Sequence, residues 1–180
     1  MELSRPPEES GETRVELRLR MTLFVGRHVN RIDKKGRVSV PKPFRAALQA
    51  EGSAVLYTYP LFKHHALEAC GEDFMARLSA SLEDLDMFSD EQDDLAAIVL
   101  ENAHALNFDP EGRVVLSKEL MEHAEIASDA VFVGRGARFQ IWSPKTYEAN
   151  RATAFERAKA RGATLRLRPS VSDKSDGGAS

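Results

Sequence analysis

A single cysteine, Cys70, stands in the whole chain, so no internal disulfide can form, and with no CxxC pair there is no thiolate set to hold a structural zinc. No apolar run approaches the roughly 18 residues of a membrane-spanning helix. The first twenty residues, "MELSRPPEESGETRVELRLR", lack the apolar core of a secretory signal. These absences predict a cytoplasmic protein. Catalytic signatures are missing too: there is no G-x-x-x-x-G-K-[ST] loop, no H-E-x-x-H and no G-x-S-x-G. His64 and His65 are adjacent and would point to opposite sides of a strand, and His104 alone could join them on a metal. Cys70 reads as a small half-buried thiol rather than a nucleophile. The expectation is a protein that is not an enzyme, with no cofactor, no metal and no small-molecule substrate.

What the chain does have is charge sorted by position. The formal net charge is only −3, but seven Lys/Arg face Asp33 alone between Met21 and Ala50, whereas ten acids face Arg77 alone between Gly71 and Glu101. Fields act within a Debye length of roughly 8–10 Å, so this local asymmetry outweighs the total. The basic stretch is a candidate surface for a polyanion.

A phrase is also repeated. "DKKGRVSVP" begins at Asp33 and "DPEGRVVLS" at Asp109, 76 residues later. Four of the nine positions are identical, too few to prove duplication, but the order of elements around them agrees as well. In the first copy "RHVNRI" and "RVSV" read as strands joined by the turn "DKKG". "KPFRAALQA" reads as a short helix opened by Pro41 and Pro43 and stopped by Gly52. "AVLYTY" and Ala66–Cys70 are two further strands. The second copy runs "HALNF", "DPEG", "RVVL", a helix "KELMEHA" capped by Ser117, then "AVFV", the turn "GRGA" and "RFQIW". A three-residue contraction sets Tyr147 opposite Phe74. Helices follow each copy: one over Glu72–Leu85 with Phe74, Leu78, Leu82 and Leu85 on one stripe, a second opened by a Ser89/Gln92 capping box, and a last one from "SPKTYEA" towards Arg161 with Gly162 as its stop. A unit of about 45 residues buries too little core by itself, so the two copies are expected to interleave and pair their open strand edges. Residues 1–20 and the tail after Leu167 read as disordered.

The repeated turn has a chemistry. Asp33 lies four residues before Arg37, and Asp109 four before Arg113, so each pair can staple its hairpin and orient a guanidinium, with Gly36 and Gly112 supplying the positive φ of the turn. Bracing is the expected role of the two aspartates. Arginine offers a planar donor fork suited to phosphate or to the O6/N7 edge of guanine, and a two-stranded ribbon fits the major groove. Lys34 and Lys35 at the tip, with Arg31 beside them, would contact phosphates. The second tip carries Glu111 in place of a lysine and is a poorer phosphate binder.

The block "NRIDKKGRVSVPKPFR" together with the second D-x-x-x-R motif, "DPEGR", resembles the MraZ family of bacterial transcriptional regulators, over roughly Met21–Tyr147. The resemblance implies two SpoVT-AbrB-type domains, over 27–73 and 103–146, joined by a helical connector at 74–102 and followed by a C-terminal helix and tail at 147–180. It implies a mainly β, α+β fold: a swapped-hairpin β-barrel made by both repeats, with flanking helices. It further implies a ring-shaped homo-oligomer at the nucleoid, without membrane attachment. Such a ring would bind short G-containing direct repeats of double-stranded DNA in a promoter, that of its own cell-division and cell-wall gene cluster, as a repressor. Carried over by motif, Arg37 is the principal DNA-binding residue and Arg113 its counterpart. Members of the family begin near Met21, which leaves residues 1–20 as a lineage extension or an upstream start, and the acidic helix "SDEQDDLAAIVL" departs from the basic residues common there. AbrB-type domains also serve as antitoxins, so a protein-binding module is the alternative reading. Such antitoxins pair one domain with a toxin-binding tail, whereas this chain carries two domains and a short polar tail.

Overall fold

The computed structural model describes residues 23–166; the disorder expected for residues 1–20 and for the tail after Leu167 falls outside them. The elements are strands β1 (Arg27–Arg31) and β2 (Arg37–Ser39), helix α1 (Lys42–Glu51), strands β3 (Val55–Pro60) and β4 (Ala66–Cys70), and helices α2 (Glu72–Glu83) and α3 (Asp90–Ala96). A π-helical stretch, Ala97–Glu101, prolongs α3. Then come β5 (His104–Asn107), β6 (Arg113–Val115), α4 (Lys118–His123), β7 (Asp129–Gly134), β8 (Phe139–Trp142) and α5 (Pro144–Ala160). The fold is therefore α+β, rich in short antiparallel strands.

Local chemistry explains the boundaries. Pro43 occupies the first turn of α1, and Gly52 closes the helix in a left-handed conformation. The Ser89 and Ser117 hydroxyls cap α3 and α4 by accepting from the Gln92 and Leu120 backbone N–H groups. Helix α2 lacks a cap of its own at Gly71, and Ser53 from the preceding loop accepts the Glu72 N–H at 2.9 Å instead.

Six strands form one sheet in the order β1-β7-β8-β4-β3-β5, and β2 pairs with β6 in a separate two-stranded ribbon. Exchange each strand for its counterpart in the other repeat and the six-stranded order reads the same from the opposite end. The repeats are thus interleaved, as expected from their open edges: β1 pairs with β7, β3 with β5 and β4 with β8. At the centre of the ribbon Val38 lies opposite Val114, its own equivalent, so the local twofold passes between them. The likeness is imperfect at the edges. Val29 faces Val131, whereas the equivalent Ala105 faces Tyr57 rather than Val55. A slip of two residues keeps every side chain on its own face. The ribbon connects the sheet's two edge strands, because β1 turns into β2 through the Ile32–Val38 bridge and β5 turns into β6 through the Asp109–Arg113 backbone bond.

Under the ribbon lies the main core, where Phe24, Phe44 and Phe139 interlock with ring centroids 4.9–5.5 Å apart, joined by Val38, Val114, Leu116, Leu120 and Ile141. Each such side chain stabilises the fold by about 1.5–3 kcal/mol when fully buried. The central strand β4 is buried along its whole length, including one carboxylate, Glu68. Arg138 approaches Glu68 to 3.0 Å, and Gln140, directly opposite on β8, donates to it at 3.3 Å. Burial raises the Glu68 pKa against the pull of those partners. Cys70 is fully buried, and burial pushes its thiol up to about 12, which suits a packing residue and not a nucleophile. Phe74, Met75 and Leu78 of α2 pack against a smaller cluster around Tyr59, Cys70 and Val99.

The described residues divide into two compact units, one ending at Tyr147 and the other beginning at Glu148. In the second, the described part of the helix is exposed, with Arg151 stacked over Phe155 and ion-paired to Glu148. No described helix is long and apolar enough to cross a membrane.

Candidate nucleic-acid interface

Two hairpin tips flank the ribbon, and they are built alike. In the first, Asp33 Oδ1 accepts the backbone N–H groups of Lys35 and Arg37 at 2.8 and 3.0 Å, while Oδ2 accepts Arg37 Nε at 2.6 Å. In the second, Asp109 Oδ1 accepts from Glu111 and Arg113 at 3.0 and 2.9 Å, and Oδ2 accepts Arg113 Nε at 2.7 Å. Gly36 and Gly112 hold φ values of 77° and 74°, and each donates its N–H to the carbonyl of the turn aspartate. A side chain there would meet backbone or guanidinium: a Cβ on Gly36 would stand 2.6 Å from the Leu116 carbonyl oxygen, and one on Gly112 would stand 2.5 Å from Arg45. Each aspartate thus bonds two backbone N–H groups of its turn and one arginine Nε.

The bonding sets the electrostatics. Partial desolvation pushes the Asp33 carboxyl up, but the hydrogen bonds from Arg37 and from the Lys35 N–H outweigh it and hold its pKa below the ordinary value. For Asp109 the backbone N–H of Arg113 is the largest influence, and the pKa is again lowered. The Arg113 pKa is raised, first by its bond to Asp109 and then by the charges of Asp109, Glu111 and Asp33. Asp33 therefore lies within electrostatic reach of the opposite hairpin.

Strand alternation decides which side chains share the outer face. Ile32, Val38 and Val114 are buried, so Arg31, Arg37, Ser39, Arg113 and Val115 point the other way. Arg37 faces Val115, and Arg113 faces Ser39, which makes the two arginines diagonal neighbours with Cα atoms about 7–8 Å apart. Lys34 and Lys35 are exposed at the first tip. Alternation therefore sets Arg31, Arg37 and Arg113 on one face, with Lys34 and Lys35 exposed at the tip of the hairpin that carries Arg37. It does not gather the histidines: among the described residues no three His, Cys, Asp or Glu side chains converge as a metal site would need.

Three features escaped the sequence reading. The Glu111 carboxylate reaches back onto Arg113 Nη2, an ion pair with no counterpart at Lys35. Arg45 of α1 donates to the Val40 carbonyl at 3.0 Å and the Gly112 carbonyl at 3.4 Å, clamping the second tip, whereas the equivalent position 76 residues on is Met121. Asn30 donates to the Ser39 carbonyl at 2.6 Å and ties β1 to the ribbon. The Glu111 contact was open to inference, since its spacing from Arg113 is that of a turn. The Arg45 clamp spans two repeats and has no local signature.

The sequence also matches known proteins. A family model described as "MraZ protein, putative antitoxin-like" matches residues 99–167. The chain is 40% identical over 144 residues to the transcriptional regulator MraZ of Pelagibacter ubique (strain HTCC1062), covering 80% of this chain and 93% of the relative. It is 43% identical over 142 residues to that of Gluconacetobacter diazotrophicus (77% and 90% covered), and 40% identical over 146 residues to that of Rickettsia canadensis (81% and 98% covered). With such identity over nearly the whole of each relative, the chain belongs to the MraZ family, whose members are transcriptional regulators and not enzymes.

Proposed function

We propose that this protein is a sequence-specific DNA-binding regulator that docks its ribbon face into the major groove of promoter DNA. One observation carries the reading. Arg37 is held at Nε by Asp33, its terminal nitrogens make no hydrogen bond among the described residues, and Lys34, Lys35 and Arg31 stand beside it. A guanidinium held at one edge presents its remaining donors as a fork, the geometry that reads guanine. The lysines neutralise phosphates and set position. One such hairpin makes few contacts, so the chain acts as a ring-shaped homo-oligomer on short direct repeats, where effective concentration multiplies affinity by about 10²–10⁴. It works in the cytoplasm at the nucleoid, as a repressor of the cell-division and cell-wall cluster that includes its own gene.

A mobility-shift assay on DNA from upstream of the gene tests this. Arg37→Ala should weaken binding by about 1–3 kcal/mol per engaged subunit and relax guanine preference. Lys35→Ala should weaken binding to every sequence alike and flatten the salt dependence. An Arg37→Ala protein that shifts this DNA as well as the native chain does would remove the reading. The description "antitoxin-like" favours a second reading, in which the same surface meets a protein. Co-purification of a stoichiometric protein partner in place of DNA binding would support that one.

A further inference from the structure

The two hairpins have one geometry and opposite charge. Their aspartate–arginine bonds agree within 0.1 Å, but residues Arg31–Ser39 carry four positive charges against one negative, while Asn107–Val115 carry one positive against two negative. Where the first tip holds Lys34 and Lys35, the second holds Pro110 and Glu111. The Glu111 side chain is largely exposed, yet its carboxylate closes on Arg113 Nη2, so Arg113 is ion-paired at both Nε and Nη2. The Arg45 clamp adds rigidity to this tip alone.

From this we infer that Glu111 is a specificity-determining residue: it masks Arg113 and repels phosphate, confining base reading to the Arg37 hairpin and giving each subunit a direction on DNA. The inference rests on the ribbon face being the DNA surface. Its logic is symmetry. A face with two equivalent arginine forks about a local twofold would match an element with the same dyad, an inverted repeat. With one fork silenced the element loses its dyad, and copies placed side by side are direct repeats. Arg113 is then a latent fork rather than a working equal of Arg37.

Selection from a random duplex library tests this without knowledge of the operator. The native protein should enrich an element without dyad symmetry. Glu111→Lys should enrich a dyad-related pair and bind it about fivefold or more tightly than the native chain does, the size of one good base contact. Glu111→Gln, which unmasks Arg113 without adding a cation, should move the selected element the same way by a smaller amount. Adding Arg113→Ala to Glu111→Lys should abolish the dyad. Glu91→Lys on α3 makes the same change of charge elsewhere and should leave the element asymmetric. In the native background Arg113→Ala should change affinity less than about twofold, against the larger loss for Arg37→Ala. Two results would overturn the inference: selection of the native element by both Glu111 variants, or equal losses for Arg113→Ala and Arg37→Ala. If the native protein enriches nothing and Arg37→Ala is silent, the DNA reading itself fails.

Discussion

Replacing Gly36 by alanine puts the hairpin geometry at risk in a way that can be sized. The residue sits at φ 77°, a left-handed conformation that costs an L-residue about 1–2 kcal/mol. The new methyl would also stand 2.6 Å from the Leu116 carbonyl oxygen, a backbone atom with no rotamer to yield. Relief requires moving Leu116, which is buried and donates its N–H to the Gly36 carbonyl at 2.9 Å, so about 1 kcal/mol of hydrogen bonding goes as well. The sum is about 2–3 kcal/mol, or a fall in Tm of about 5–10 °C for a chain of this size. Gly52→Ala supplies the control. Its φ is 81°, and a Cβ there meets nothing within 4 Å, so it should lose only about 1–2 kcal/mol of strain energy. Urea unfolding followed by the fluorescence of the buried Trp142 measures both, and Gly36→Ala should also weaken DNA binding because its N–H closes the turn on Asp33. If the two variants lie within about 0.5 kcal/mol of each other, the close approach to Leu116 is not what stabilises the ribbon.

Val38→Ala and Val114→Ala should each cost about 2 kcal/mol, and the double variant should depart from additivity, since the two side chains face each other on the local axis. Asp33 and Asp109 have lowered folded-state pKa values, so their contribution is present above their ordinary value of 3.8 and is lost as pH falls through the folded values. Asn at both positions should therefore flatten the acid limb of the stability curve below about pH 4, and an unchanged limb would contradict the bracing role. Glu68 runs the other way: its raised pKa lets the folded chain keep a proton that the unfolded chain has released above 4.5, so stability declines as pH climbs through the folded value. Glu68→Gln should remove that decline, and parallel curves for the two proteins would refute it.

Much of this was legible because the signals were local. The D-x-x-G-R turns, the Gly52 stop and the Ser117 cap are each fixed by a few adjacent residues, and all appear where their chemistry requires. Interleaving followed from a count of open edges, although the two-residue slip between Val29 and its equivalent Ala105 did not, since a period-two pattern tolerates even shifts. The π-helical turn at Ala97–Glu101 has no composition of its own, and helix α2 ends at Glu83 rather than Leu85. At the site, residue types predicted the Asp–Arg pairs. They could not predict the Arg45 clamp, which joins positions 67 residues apart.

The pairing of β1 with β7 has a consequence during biosynthesis. Arg27 finds its ladder partner only at Val133, so the first strand emerges from the ribosome more than a hundred residues ahead of the strand that receives it. At about 5–20 residues per second that wait lasts about 5–20 s, with Phe24 and Ile32, both buried in the finished fold, uncovered throughout. Long-range closure of this kind is slow, and the amino-terminal half waits with the β1 edge unpaired until its own second half is made.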